Sequence, residues 1–343
     1  MTQICQYSIG IDVGKESLVV QVMHRPGEGK ILKTENISWS NHRIGYRKLF
    51  SWLKQEGILC GESRMVMEAT GQYWKRAAQF FYEKGFEIWV VNAHRMHTYG
   101  QSHGIQGKTD RSDARIIAHY GHHGTGHPWI PDAPEIGELR SLIRHREDVL
   151  KSLVQLRNQK ESWQQDTQGA SEVKSSLECM IKGLKKQVSQ LDKAIHKRLV
   201  ETPQWKDLVD ILDTIPGLGD ISIAWLLVET KEFKRFPNPH ALASYAGVVP
   251  HPYQSGTSVK HKDHISNTCQ RSLRSVLYMA GVCAIRVNPL LKEFYLRLRQ
   301  RHKPFKVALI AVVHKLLRIL FALVRNHQPF CPHPVSLPRG ITP

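Results

Sequence analysis

Residues 7–13 (Tyr-Ser-Ile-Gly-Ile-Asp-Val) and 17–23 (Ser-Leu-Val-Val-Gln-Val-Met) are two apolar, β-branched runs separated only by Gly14-Lys15-Glu16. Apolar, β-branched runs of this length predict strands. A three-residue connection containing glycine makes the second the antiparallel partner of the first. A chain that begins on such a hairpin needs further elements to cover its sheet.

The next segments supply that cover. A third strand is expected over 31–37, a helix over 42–55, a short buried strand over 64–68, a helix over 73–84, a strand over 86–91 and a further helix from Asp110. Three strands, then helix, strand, helix, strand, helix is the order of an α/β RNase H-like domain, a mixed sheet flanked by helices. In the middle third, Leu139, Leu142, Val149, Leu153 and Leu156, then Leu177, Ile181, Leu184, Val188, Leu191 and Ile195, recur at spacings of three, four or seven around a polar break at 164–171. That predicts an α-helical hairpin or coiled coil, suited to packing or oligomerisation.

The last third opens on Ile215-Pro-Gly-Leu-Gly219 ahead of the apolar run 221–228. Such a turn entering a helix lets the N–H groups of Gly217 and Gly219 approach a phosphate, as in a helix-hairpin-helix-like segment, and serves equally in any tight helix–helix turn. Tyr245-Ala-Gly-Val-Val-Pro250, a loop over 251–264, and helices over 270–286 and from 290 onward complete it. The expected organisation is an α/β domain over 1–130, the helical hairpin or coiled coil over 131–204, a mainly α domain over 205–330 and a tail over 331–343.

Charge narrows the partner. Lys and Arg number 48 against 30 Asp and Glu, a formal +18, which points to a polyanion, nucleic acid first and an anionic membrane second. The surplus is late: 16 basic and 11 acidic residues stand in 1–130, 13 and 11 in 131–204, and 19 and 8 in 205–343. Phosphate contacts are therefore expected at Lys260, Lys262, Arg271, Arg274, Arg297 and Arg301, with Gly217 and Gly219 at the turn and Lys108 beside the aspartates described next. No run of about 18 apolar residues and no basic-then-apolar leader is seen, so a cytoplasmic, nucleoid-associated protein without a membrane is expected. The six cysteines form no C-x-x-C pair and are expected to be reduced thiols without a metal role.

Chemistry enters with four carboxylates. Asp12 stands alone in an apolar strand, Glu68 ends the strand Met-Val-Met-Glu, and Asp110 and Asp113 are three apart, on one face of a helix. Brought together they repel unless a cation neutralises them, and oxygen-only ligation suits Mg²⁺ or Mn²⁺ rather than zinc. Such ions serve in-line attack at a phosphodiester. Each residue also has a purely structural reading: Asp110 as an N-cap with Asp113 completing a capping box, Glu68 as an exposed strand end.

Ile9-Gly-Ile-Asp12-Val-Gly-Lys15, Met67-Glu68-Ala-Thr-Gly71 with Tyr73-Trp74, Val90-Val-Asn92 and Lys108-Thr-Asp110-Arg-Ser-Asp113-Ala114 resemble the DEDD transposases of bacterial insertion sequences, relatives of the pilin-gene invertases. Ile215-Pro-Gly-Leu-Gly219, Tyr245-Ala-Gly-Val-Val-Pro250, Ser255-Gly256 and Ile265-Ser266 with Leu273-Arg274 follow in the family's order, so the likeness runs from about residue 7 to 325. It implies a RuvC-like nuclease domain, a coiled-coil insertion and a C-terminal transposase domain with a nucleophilic serine. It further implies Mg²⁺ on Asp12, Glu68, Asp110 and Asp113, a phosphoserine intermediate at Ser255, donor and target DNA as substrates, a bridge RNA as guide, and a homo-oligomer. From the residues alone Ser255 is an ordinary loop serine, with Ser258 and Ser266 as competitors, since nothing in the sequence fixes a base beside it. The chain departs from the family pattern at His264, Asn267, Cys269 and Gln270, and has Ala93 where proline is usual.

Three other readings share some of these features. A Holliday-junction resolvase would use the same carboxylates with water, but would need neither Ser255 nor a basic C-terminal domain. An actin-like kinase begins with a similar Gly10-Ile-Asp12-Val-Gly14 strand, but should carry a second phosphate loop and an adenosine motif. An architectural nucleic-acid binder would be hindered by four carboxylates.

Overall fold

The computed structural model describes residues 5–24, 37–104, 110–165, 170–251, 254–255, 259–260, 264–265 and 269–332. The chain divides into two compact units, Met1–Pro131 and Asp132–Pro343.

The first unit is a five-stranded mixed sheet with helices on both faces. β1 (Tyr7–Val13) and β2 (Ser17–His24) form the antiparallel hairpin, with Val13 beside Leu18 at its closed end. β3 (Ile37–Ser40) adds an antiparallel edge. The sequence places a third strand over 31–37; residues 31–36 lie outside the described residues. α1 (Arg43–Gln55) leads to β4 (Ser63–Glu68), α2 (Trp74–Glu83) to β5 (Glu87–Val91), and α3 (Ala93–Ser102) and α4 (Asp110–His123) close the unit. The strand order is β3-β2-β1-β4-β5, with β1, β4 and β5 parallel. The central position of β1 explains why its sequence is apolar on both faces.

Strand alternation distributes the core. Ile9, Ile11 and Val13 of β1, Met65 and Met67 of β4 and Ile88 of β5 meet Tyr46, Leu49 and Leu53 of α1 and Ala77, Ala78 and Phe81 of α2. On the opposite face Val66, Trp89 and Val91 meet Met96 of α3 and Ile116, Ile117 and Tyr120 of α4. Arg64 ties the second layer together: its Nε donates to Glu87 at 2.8 Å, its Nη1 donates to the Gly121 carbonyl at 2.8 Å, and its guanidinium lies over the Trp89 ring. The sequence did not reveal α3. It is capped by Asn92, whose Oδ1 accepts from the His94 N–H at 2.8 Å.

The second unit is mainly helical. α5 (Pro134–Gln164) and α6 (Ser171–Glu201), each of 31 residues and hence about 46 Å long, pair antiparallel. Early residues of α5 bond late residues of α6 and the reverse: Glu138 with Arg198, Arg146 with Asp192, Lys160 with Glu178. Leu139, Ile143, Val149 and Leu153 are buried on α5, and Leu177, Ile195 and Leu199 on α6. α7 (Lys206–Asp213), α8 (Asp220–Thr230) and α9 (Pro239–Tyr245) follow, with α8 apolar all round and buried from Ser222 to Thr230.

Where the sequence suggests a loop over 251–264, the described residues form two nested antiparallel pairs. β6 (Pro250–His251) pairs with β9 (His264–Ile265), and inside them β7 (Gln254–Ser255) pairs with β8 (Val259–Lys260). Strands two residues long give no alternation to read. α10 (Arg271–Val287), α11 (Pro289–Gln300) and α12 (Phe305–Asn326) end the unit. α12 has a mean hydropathy of 2.3 over its most apolar 18 residues, enough in length and composition to cross a membrane. Here it is a core helix: Leu309, Val312, Val313, Leu316, Leu317 and Leu320 recur every three or four residues and are wholly buried.

Candidate active site

Two strand ends and one helix start converge in the first unit. Alternation sends Ile9, Ile11 and Val13 to the α1–α2 face, which assigns Ser8, Gly10 and Asp12 to the α4 face. On β4, Met65 and Met67 join the α1–α2 core while Val66 packs on the α4 side, so Glu68 shares that side. The strands are parallel, with Ile11 beside Met67. Asp12 and Glu68 therefore stand one step further along neighbouring strands, on one face, at the carboxyl edge of the sheet. Both are half-buried, as is Asp113.

The direction of α4 brings the aspartate pair to the same edge. Ser8 Oγ donates to the Ala118 carbonyl at 2.6 Å, and a Cβ built on Gly121 would lie 2.0 Å from that hydroxyl oxygen. A Cβ on Gly10 would lie 2.2 Å from the Ala118 nitrogen and 2.3 Å from the Ala114 carbonyl oxygen. α4 thus runs antiparallel to β1 with its backbone directly on the strand, and its first turn, with Asp110 and Asp113, reaches the end of β1 that bears Asp12. Glycine at 10 is what allows this approach. Gly10→Ala is expected to lower unfolding free energy by about 3 kcal/mol, because the atoms a methyl would meet are backbone of α4 and no side chain can give way. Urea unfolding followed by circular dichroism measures it, and a loss under about 1 kcal/mol would mean that the helix shifts freely on the strand.

The side chain of Asp110 and the whole of Lys108 lie outside the described residues. Among the described residues no three His, Cys, Asp or Glu side chains form a group that could hold a metal ion. The donor chemistry gathered at the strand ends, carboxylate oxygen with neither thiol nor imidazole among Asp12, Glu68, Asp110 and Asp113, matches a hard divalent cation.

In the second unit Ser255 ends the inner strand β7, its backbone opposite Val259. The chain runs out from Pro250 and returns through Ile265, with Ser255 in the inner pair of this arm; the side chain of Ser255 lies outside the described residues. The base of the arm is anchored by the Tyr245-Ala-Gly segment. Tyr245 donates its hydroxyl to Glu229 Oε2 at 2.7 Å, and its carbonyl accepts from the Gln270 N–H at 3.0 Å. Glu229 is 2% exposed and also takes Arg140 and Arg144 of α5. Burial, reinforced by the Glu229 carboxylate, pushes the Tyr245 hydroxyl up to about 12, so it remains a donor. Gly247, at φ 69°, lets its backbone pass Cys269; a Cβ there would come within 2.5 Å of the Cys269 Cβ. Arg274 donates to the Gly247 carbonyl at 3.4 Å.

The glycine turn divides. Gly217 adopts φ 96°, and a Cβ on it would meet the Ala284 backbone of α10 at 2.6 Å, a packing reason for glycine. Gly219 is the N-cap of α8 and has open space where a Cβ would be. Arg271 is exposed at the start of α10, and Arg297 and Arg301 are exposed one turn apart at the end of α11. The side chain of Lys260, in β8, and the whole of Lys262 lie outside the described residues.

A carboxylate-bearing strand edge joined in one chain to a basic helical unit is the make-up of a nucleic-acid strand-transfer enzyme, and comparison with known proteins specifies which. A model of DEDD transposases of the IS110 type matches residues 9–163, and one described as the transposase IS116/IS110/IS902 family matches 209–296. The pilin gene-inverting protein of Moraxella bovis is 30% identical over 324 residues, 94% of this chain and 97% of that protein, and its counterpart in Moraxella lacunata matches over the same extent. An insertion element IS110 protein of Streptomyces coelicolor is 32% identical over 119 residues, 35% of this chain and 29% of that protein. The chain belongs to the IS110/IS116/IS902 family of DEDD transposases, enzymes of DNA strand transfer.

Proposed function

We propose that the chain is a serine recombinase that cuts and rejoins donor and target DNA through a phosphoserine, with a RuvC-like, RNase H-like first unit supplying carboxylates and a bridge RNA as guide. The observation that carries the reading is the meeting of Asp12, Glu68 and the first turn of α4 at one sheet edge. The sheet order β3-β2-β1-β4-β5, antiparallel then parallel, supports the RNase H-like assignment. The functional division into carboxylate domain, α5–α6 coiled coil and serine-bearing domain follows, and the α5–α6 pair suits assembly of a dimer or tetramer.

The steps belong to the chain's own residues. Ser255 Oγ attacks phosphorus, the Oγ–P bond forms as one phosphodiester P–O bond breaks, and the proton lost by serine balances the one gained by the departing DNA hydroxyl. Another strand's hydroxyl then attacks the phosphoserine and restores the serine, so joining requires no ATP. Asp12, Glu68, Asp110 and Asp113 would hold Mg²⁺ or Mn²⁺, which when bound supplies positive charge where the attacked phosphate accumulates negative charge. Arg271, Arg274, Arg297, Arg301, Lys260, Lys262, Lys108 and the glycine turn Gly217-Leu-Gly219 contact phosphates.

Recombination of duplexes carrying the element's ends, with joined products sequenced, tests the reading. New junctions that require divalent cation are expected. Cut ends that never join would instead indicate a resolvase using water. Binding offers a second check: Arg297→Gln with Arg301→Gln should lower the salt dependence of duplex affinity by about one unit per lost contact. An unchanged slope would move the contact elsewhere.

A further inference from the structure

We propose that the cleft between α1 and α2 binds an unpaired RNA segment. These helices cover the sheet face opposite α4, away from the carboxylates. Their outer sides leave a cleft of about 830 Å³, within the range of small-ligand sites, about 300–1,000 Å³. Its floor includes Phe50 and Phe80, both half-buried, and its rim carries Arg43, Arg47, Arg76 and Lys84.

The rim is basic in a way the fold does not need. Among the described residues no ion pair involves Arg43, Arg47 or Arg76, and Glu83 is the one acidic residue of the lining. Glu83 takes a hydrogen bond from Gln79 Nε2 at 2.7 Å. Like charges crowded around one cleft destabilise a fold unless a partner neutralises them. The first turns of α1 and α2 both line the cleft and contain no acidic residue.

The aromatic floor selects among polyanions. Lys84 Nζ, on the rim, lies 5.7 Å from the ring centres of both Phe50 and Phe80, so the two rings sit side by side within reach of one cation. Flat ring faces beneath a ring of cations fit a phosphodiester chain whose bases are free to stack. A duplex hides its base faces. Folded RNA offers unpaired bases in loops and bulges, whereas the DNA substrate of a transposase is duplex at rest. Glu83 adds to the preference: beyond the bond from Gln79 its carboxylate has lone pairs that can accept from a 2′-hydroxyl, which RNA carries at every nucleotide. This gives the RNA partner proposed above a surface and rests on that partnership. Its readout is binding alone, so it can fail while strand exchange stands.

The test is fluorescence anisotropy of full-length protein with a labelled 12-nucleotide oligouridylate, oligothymidylate and a 12-base-pair duplex DNA. Arg47→Gln with Arg76→Gln should weaken oligouridylate binding about tenfold and lower its salt slope by about 1.4, the value for two phosphate contacts on a single strand. Phe80→Leu should weaken it at least about fivefold with the slope unchanged, as lost stacking requires. Duplex affinity should not move. Arg47→Gln with Arg76→Gln should melt with wild type, because both arginines are exposed. Phe80→Leu should stay folded at the assay temperature, because it keeps an apolar side chain where Phe80 packs half-buried on the core. Arg43→Gln with Lys84→Gln serves if the arginine pair does not fold. Oligouridylate affinity within twofold of wild type in both variants, or an equal loss for the duplex, would overturn the proposal. Equal losses for oligothymidylate would transfer the cleft to displaced DNA, and displacement by poly-glutamate as readily as by oligouridylate would give it to an acidic protein segment.

Discussion

Asp12→Asn or Glu68→Gln is expected to lower strand exchange by at least about three orders of magnitude while the protein stays folded. Each change removes one charge and almost no volume. Both residues are half-buried at the carboxyl edge of parallel neighbours, and the first turn of α4, which bears Asp113, reaches the same edge. Because the amide keeps the shape of the carboxylate, thermal melts should stay close to wild type. Activity should nevertheless collapse, because the missing charge is one that a cation-assisted phosphoryl transfer requires. The two measurements together separate chemistry from folding. Activity within about tenfold of wild type for both variants would remove these residues from the reaction, whereas a large drop in melting temperature would make them structural.

This expectation rests on features of unequal visibility in the sequence. The hairpin was readable because β1 is central and buried on both faces, so hydrophobicity runs along it unbroken. The faces of Asp12 and Glu68 were likewise readable, since alternation from Ile11 and Met67 fixes them. The close seat of α4 on Gly10 was not, because a glycine in a strand does not reveal what backbone crosses it. α3 escaped because only Met96 and Gly100 are buried along it, too few for a periodic signal; Asn92 as N-cap was the available clue. α9 has the same kind of signature, Asn238 capping and Pro239 opening the helix. The α1–α2 cleft was missed for a different reason. A net charge summed over 130 residues dilutes a local cluster, yet Arg43 and Arg47, then Arg76, Phe80 and Lys84, follow one another at four-residue spacing and share helix faces.

Ser255→Ala is expected to abolish the covalent protein–DNA adduct while leaving nucleic-acid binding intact. Ser255 lies in the inner strand pair of an arm whose base is held by Tyr245, Gly247 and Arg274. Its backbone is thus part of an anchored arm, and removing one oxygen disturbs neither the anchor nor a large electrostatic interface. If serine is the nucleophile, stalling the reaction after the first cut leaves DNA esterified to the protein, which a denaturing gel resolves as a slow-moving species. Wild type should show that species and Ser255→Ala should not, at equal affinity for duplex DNA. An adduct that persists in Ser255→Ala would move the nucleophile to another residue of the same segment, with Ser258 and Ser266 first to be replaced. Wild type that yields free 5′-phosphate ends and never an adduct would assign the attack to water, and the carboxylate edge of the first unit would then act as a nuclease on its own.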